Sequence, residues 1–242
     1  MTDLCVSGCT VAFGGLKAIN DLTLTIPSGA ITGLIGPNGS GKSTFCNMVS
    51  GQIPPSGGRV RLGEKDITGW RSDQAVAAGL ARTYQVPRVP KELTIGEVIG
   101  VPFRYARSSR ELPRQMSTTA DLARFCGLAP ALDTACADLS ISDLRRLEIA
   151  RALACKPRVL LLDEAMAGLS LEDTAQVIEL VREVHAAGIT IVVIEHVMRI
   201  IATLCQHAVV LNNGRLLSQG TPEVVLRDPA VREAYLGKGF GP

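Results

Sequence analysis

No apolar run in the sequence is long enough to cross a membrane. The longest, residues 159–162 and 189–194, fall far short of the ~20 residues a spanning helix needs. A secretory signal is also missing: residues 1–10 contain Asp3, no basic start and no apolar block, so cytoplasmic residence is the expectation. There is no C-x-x-C pair, and the seven cysteines (Cys5, Cys9, Cys46, Cys126, Cys136, Cys155, Cys205) are scattered and odd in number. Reduced thiols fit this better than disulfides or zinc. Charge of one sign does not accumulate either; the net charge of +2 lacks the footprint of a nucleic-acid binder, so no nucleic-acid partner is expected. Basic residues between Arg82 and Arg114 read as a solvated face. Internal repeats and low-complexity segments are absent. What remains, 242 residues at 46% hydrophobic, suffices for one large domain with a substantial core.

The most informative stretch present is Gly36-Pro37-Asn38-Gly39-Ser40-Gly41-Lys42-Ser43-Thr44, which fits the phosphate-loop pattern G-x-x-x-x-G-K-[ST]. A short β-rich run, residues 30–35, precedes it, and residues 43–49 carry Phe45, Met48 and Val49 at helical spacing. Strand, loop and helix are the context the motif requires. Glycines allow backbone N–H groups to turn inward around phosphate oxygens, and the helix N-terminus adds positive potential. Lys42 would reach the β- and γ-phosphates of a nucleotide, and the Ser43 hydroxyl would face Mg²⁺.

Alternation at Leu22, Leu24 and Ile26, broken at Pro27-Ser28-Gly29, predicts an antiparallel β layer across residues 6–26. Phe13 in that layer either stacks on a purine or belongs to the core. Residues 59–62 and Asp66-Ile67-Thr68 read as short strands, and 73–79 as a helix. Beyond Gln85 the character changes: Pro87, Pro90, Pro102 and Pro113 punctuate a region with helical pieces at 95–99 and 118–126. The expected organisation is a single domain, 1–242, with an α/β core and β layer in 1–85 and 155–242 and a mostly helical subdomain at 86–154. In the resumed core, residues 159–162 are a buried strand ending in Asp163-Glu164, residues 172–187 a helix, and residues 189–194 a second buried strand ending in Glu195-His196. Asn213-Gly214 turns a hairpin, and Thr221-Pro222 and Asp228-Pro229 open two short helices.

In doubly wound sheets, ligands lie at the carboxyl ends of strands, where Asp163, Glu164 and His196 fall. Asp163 can hold Mg²⁺, and Glu164 can orient or deprotonate a water. His196 could contact a γ-phosphate, and Gln85 could reach the metal or the water. His185 and His207 are read as structural.

Taken together, Phe13, the loop 36–44, Gln85, Leu139-Ser140, Asp163-Glu164 and His196 resemble an ATP-binding-cassette ATPase over nearly the whole chain. Longer strings narrow this: Phe13-Gly14-Gly15-Leu16, Arg82-Thr83-Tyr84-Gln85, Arg145-Arg146-Leu147-Glu148, Ile194-Glu195-His196 and Glu233-Ala234-Tyr235-Leu236-Gly237 resemble the branched-chain amino acid importer type, with relatives for urea and other small polar solutes. The resemblance implies a P-loop NTPase core, ATP and Mg²⁺, and head-to-tail closure of two cassettes around two nucleotides. It also implies membrane permease subunits docking near Gln85, a solute-binding protein acting through them, and residence on the inner face of the cell membrane. Glu164 is then the base, and Ser140 and Ser142 lie in the segment that faces the partner's nucleotide.

One departure stands out. The family signature Leu-Ser-Gly-Gly-Gln is replaced by Leu139-Ser140-Ile141-Ser142-Asp143. Ile141 and Ser142 place side chains where glycines allow close approach, and the Asp143 carboxylate repels phosphate. Ser142 offers an N-cap, so the next helix is expected to form with Leu144, Leu147, Ala150 and Leu153 inward. A weakened contact in trans points to a heterodimer with a second ATPase rather than a homodimer.

Overall fold

The computed structural model describes residues 3–106, 108, 110–128 and 131–236; Gly237, last in the C-terminal string, lies outside them. In chain order the elements are β1 (Leu4–Phe13), β2 (Leu16–Ile26), β3 (Ile31–Ile35), α1 (Lys42–Val49), β4 (Gly57–Leu62), β5 (Lys65–Asp66), α2 (Ser72–Ala78) and β6 (Leu80–Arg82). Then follow α3 (Ile95–Tyr105), α4 (Thr119–Phe125), α5 (Ile141–Ala154), β7 (Val159–Asp163), α6 (Leu171–Ala186) and β8 (Thr190–Ile194). The chain finishes with α7 (Met198–Leu204), β9 (His207–Asn212), β10 (Arg215–Gly220), α8 (Pro222–Arg227) and α9 (Pro229–Leu236). Two compact units result, Met1–Ala75 with Thr190–Pro242, and Val76–Ile189. This partition runs differently from the 86–154 boundary drawn from the prolines, because β6, β7 and α6 group with the helical segment.

In the first unit, β2-β1-β4-β5 form the antiparallel layer. Leu22, Leu24 and Ile26 are buried while Asp21, Thr23 and Thr25 are exposed, the period-2 alternation expected of a sheet with one wet face. Ile67 and Thr68 are not strand residues. Ile67 N still donates to Val60 O at 2.9 Å, but the Thr68 N–H bonds Asp66 Oδ1 at 2.9 Å and its hydroxyl accepts from Val60 N at 2.8 Å, so a side chain takes over the next bond of the ladder. A second layer places β3 between β8 and β9, parallel to both, with β10 antiparallel beside β9. All five residues of β3 and all five of β8 are buried, as strands covered on both faces must be. At Gly33 a Cβ would lie 2.9 Å from the Ile201 side chain, so glycine lets α7 sit close. Asn213 (φ 49°) and Gly214 (φ 73°) turn the hairpin as predicted.

In the second unit, β6 pairs parallel with β7, and α3, α4 and α5 pack on one another. The strand β6 was not anticipated; three residues are too few for a periodicity signal. Helix α3 also runs past the expected 95–99 and through Pro102, because one missing donor does not end it and the Thr94/Glu97 capping box anchors its start. On α5, Leu147, Ala150 and Leu153 are buried as expected, but Leu144 is half-exposed and Arg145 and Glu148 are buried instead. All seven cysteines are free thiols.

Candidate nucleotide site

The phosphate loop follows directly from β3. Gly36 (φ 153°), Gly39 (φ 77°) and Gly41 (φ 107°) all take backbone conformations that favour glycine. Two of them are also closed to a side chain: a Cβ on Gly36 would lie 2.2 Å from the Leu211 carbonyl oxygen, and one on Gly41 would lie 2.7 Å from that of Ala18. Helix α1 then starts at Lys42 with no side-chain cap and no acidic residue in its first turn. By contrast, α3, α4, α5, α6 and α8 are each capped by a Thr or Ser hydroxyl. An uncapped N-terminus behind a glycine loop suits an anion, which supplies the acceptors a side chain otherwise would. The Lys42 ammonium folds back over the loop, donating to Gly36 O at 2.6 Å and Pro37 O at 3.1 Å. Buried Ser40 has a hydroxyl without a hydrogen-bond partner, Asn38, Gly39 and Ser43 are exposed, and Thr44 is half-buried. These features fit the phosphate chain of ATP.

Phe13 ends β1 at the tip of the hairpin and is 51% exposed, which removes the core alternative and leaves a ring free to stack. His196 belongs to the same unit. The parallel register pairs Leu34 with Ile194, so residues 36 and 196, each two positions on, leave the sheet at the same end. His196 itself is exposed, whereas Glu195 is buried.

In the second unit the two acids stand at the end of β7, and each has a partner from residues 82–85, where β6 ends and the chain leaves it. Asp163 is buried, and its Oδ2 accepts from Arg82 Nη2 at 2.8 Å. The Asp163 N–H donates to Thr83 Oγ1 at 3.1 Å. Glu164 is held at φ 47°, the left-handed region that a side-chain-bearing residue rarely takes and that clusters at functional positions. Its Oε2 accepts from Gln85 Nε2 at 2.7 Å. Gln85 therefore meets Glu164 directly. Helix α5 fixes the backbone behind it: Arg145 donates to Tyr84 O (3.2 Å), Gln85 O (2.7 Å) and Ala167 O (3.3 Å), and Glu148 accepts from Arg88 N (3.0 Å) and Tyr84 N (3.4 Å). Burial pushes the Glu148 carboxyl up, against the opposing pull of these N–H donors and of Arg151. Arg82 and Arg145 entered the sequence reading only inside longer strings, with no role of their own. A charged residue beginning the Arg82-Thr83-Tyr84-Gln85 string, directly after two apolar ones, was the available signal for the first.

The signature segment differs from expectation in one respect. Ser140, not Ser142, caps α5: its hydroxyl accepts from Asp143 N at 3.1 Å and donates to Asp143 Oδ2 at 2.6 Å. Counting from Ser140 puts Asp143 at N3, where its N–H and its carboxylate both meet the serine hydroxyl; the residue three places after Ser142 is Arg145, which offers no acceptor. Ser142 instead donates to Asp173 Oδ1 at 2.9 Å, and Asp173 is itself bonded to the Ser170 cap of α6. The hydroxyls of Ser170 and Ser142 hold Asp173 below the usual carboxylate range. Ile141, between the two serines, is 62% exposed.

For a metal, the described residues offer no cluster of three or more His, Cys, Asp or Glu that could cage one. The first unit offers the Ser43 hydroxyl, and the second, separately, the Asp163 carboxylate and the Gln85 amide oxygen; hard oxygen donors of this kind are chemically suited to Mg²⁺.

A glycine loop on an uncapped helix, two acids closing a buried parallel strand and a histidine closing another are the parts of a nucleotide-hydrolysing cassette. The chain belongs to the ABC transporter family, whose model matches residues 19–167. It is an ATPase with the α/β P-loop fold. A second model, described as branched-chain amino acid ATP-binding cassette transporter, matches residues 215–241. Among relatives, the chain is 34% identical over 250 residues to the high-affinity branched-chain amino acid transport ATP-binding protein BraF of Pseudomonas aeruginosa, covering 96% of this chain and 97% of that one. It is also 34% identical over 224 residues to the lipopolysaccharide export system ATP-binding protein LptB of Acidithiobacillus ferridurans, covering 92% and 91%. Among solved structures, the ADP conformation of MJ1267, an ATP-binding cassette of an ABC transporter, superposes with a TM-score of 0.85 at 31% identity, covering 98% of this chain and 100% of that one.

Proposed function

We propose that this chain powers the import of a branched-chain amino acid or another small polar solute, as one of two different ATPases docked on membrane permeases at the inner face of the cell membrane. A solute-binding protein acts on the far side of those permeases. In this reading Lys42, Ser43 and the backbone of residues 36–44 hold the phosphates of ATP, and Phe13 stacks on the base. Asp163, Ser43 and Gln85 are the groups that would take Mg²⁺, whose charge offsets that of the phosphates. Glu164 removes a proton from the water, held for this by Gln85, and His196 contacts the γ-phosphate.

The observation that carries the heterodimer is the bond from the Ser140 hydroxyl to the Asp143 carboxylate. A free signature serine could donate to a nucleotide held by the second ATPase, but here its hydroxyl is spent on the adjacent carboxylate. The chain's own phosphate loop and acids retain every residue the chemistry uses. One competent site and one slow site are therefore expected when the partner carries an ordinary signature. ATP turnover should be slow for this chain alone and rise at least tenfold with its partner, since a misplaced phosphate contact costs ~1.4 kcal/mol or more. Brisk turnover by the isolated chain would overturn the heterodimer. Replacing Glu164→Gln should trap a closed complex with ATP bound. A second reading, lipopolysaccharide export, draws on the similarity to LptB; the permeases that co-purify with the chain distinguish the two.

A further inference from the structure

The segment Arg82-Thr83-Tyr84-Gln85 meets Asp163, the last residue of β7, and Glu164, just after it, in two separate rungs. Gln85 holds Glu164, and Arg82 holds Asp163. The strand register explains the second rung. Arg82 pairs with Leu161 across the parallel ladder, and Asp163 lies two residues further on, so its side chain leaves the same face of β7 as that of Leu161. Both side chains of the ion pair are nearly out of solvent, at 8% and 7% exposure. A buried carboxylate without a partner is costly, and removing one member of such a pair is strongly destabilising. The guanidinium is fixed from other directions as well: Nε donates to Thr83 O at 3.2 Å, and the group lies 4.7 Å over the Tyr84 ring, which Arg88 covers at the same distance. Its orientation therefore does not depend on Asp163 alone.

We propose that Arg82 is a positioning residue for Asp163, serving as its resident counter-ion, restraining one of its two oxygens and sharing the carboxylate with Mg²⁺ when the metal binds. This rests on the reading of Asp163 as the residue that takes the metal. A fixed cation on the same carboxylate opposes a second one, so the built-in consequence is weak, readily reversed metal binding. Two cations sharing one nearly buried carboxylate repel each other, and on that basis Arg82→Gln should tighten metal binding by about tenfold.

The test is Mn²⁺ titration of the full chain with ADP bound, read by electron paramagnetic resonance, for the unsubstituted protein and for Arg82→Gln, Arg82→Lys and Asp163→Asn, with melting temperatures measured with and without metal. Arg82→Gln should bind Mn²⁺ about tenfold more tightly and gain more thermal stability from the metal than the unsubstituted protein does, because the ion replaces the lost counter-charge. Arg82→Lys keeps the charge and should stay within about twofold, and it decides the question if Arg82→Gln does not fold: a loss or gain of tenfold there would overturn the counter-ion role. Unchanged or weaker Mn²⁺ binding by Arg82→Gln, with the same metal-dependent stabilisation, would also overturn it and leave Arg82 a structural ion pair. Asp163→Asn should lose affinity. If it binds Mn²⁺ as the unsubstituted protein does, the reading of Asp163 fails first and the role of Arg82 falls with it; if it weakens binding while Arg82→Gln has no effect, only the inference about Arg82 is refuted.

Discussion

Replacing Asp143→Gln should make the protein less stable and more active, two changes that a purely structural role does not produce together. The Asp143 carboxylate lies in the first turn of α5, where it bonds the Ser140 hydroxyl at 2.6 Å and favours the positive end of the helix. Losing that charge and its bond to the Ser140 hydroxyl should cost about 0.5–1 kcal/mol, which lowers the melting temperature by roughly 1–4 °C in a chain of this size. The same charge repels a phosphate brought to that helix end. Over ~4–5 Å the repulsion ranges from about 1 kcal/mol in full solvent to about 3 kcal/mol in a closed interface, so its removal should raise turnover of the isolated chain by roughly five- to hundredfold. Phosphate release measured against protein concentration reads the first quantity that matters. Gel filtration of the Glu164→Gln/Asp143→Gln double variant with ATP reads the second, the fraction closed as a dimer. A melting temperature that falls while turnover and dimer fraction stay fixed would refute the reasoning and leave Asp143 as a cap alone.

Gly36→Ala should abolish nucleotide binding and destabilise the fold by about 3 kcal/mol or more, since the new methyl meets a backbone oxygen at 2.2 Å; ATP titration and thermal melting check both. Glu148→Ala should cost about 2–4 kcal/mol, a fall of roughly 4–16 °C, because the Tyr84 and Arg88 N–H groups and Arg151 lose a common acceptor. Tyr235→Phe should stay within about 1 kcal/mol of the unsubstituted protein in thermal melts: burial pushes the phenol pKa up to about 12 against the opposing pull of the Gly36 backbone, so the hydroxyl stays protonated and at most one weak contact is lost. The lowered Asp173 carboxyl should contribute stability that is complete above its ordinary value and lost as pH falls below about 4 towards the lower folded value; melting curves from pH 6 to 3 should fall less steeply for Asp173→Asn.

The phosphate loop was fully legible because its chemistry is local: nine consecutive residues specify the turn, the cation and the helix start. The buried strands β7 and β8 were legible for a similar reason, as short apolar runs that stop at charged residues. What escaped depends on residues far apart in sequence. Arg82 gains its meaning from Asp163, 81 residues later, through a strand of three residues that carries no period. Arg145 and Glu148 look like the wet face of α5, and only the structure shows that they turn inward to hold the backbone of a loop. The N-cap was misplaced by two positions because Ser140 and Ser142 are equally good caps by composition, and the choice was made by Asp143 and Asp173.

The support behind the phosphate loop sets an order on synthesis. The Ser40 carbonyl accepts from Gly214 N at 2.9 Å, Gly214 O accepts from Asn20 N at 2.9 Å, and β3 is flanked on both sides by strands from residues 190–212. A chain emerging from the ribosome displays its nucleotide motif early, yet the scaffold that shapes the motif arrives some 170 residues later. At 5–20 residues per second that interval is roughly 10–30 s, during which the nascent cassette has no finished ATP site and its central apolar strand lacks both neighbours. Prematurely terminated chains ending before Gly214 should therefore neither sequester ATP nor compete for the permease as active subunits, and should instead present β3 to the quality-control machinery of the cell.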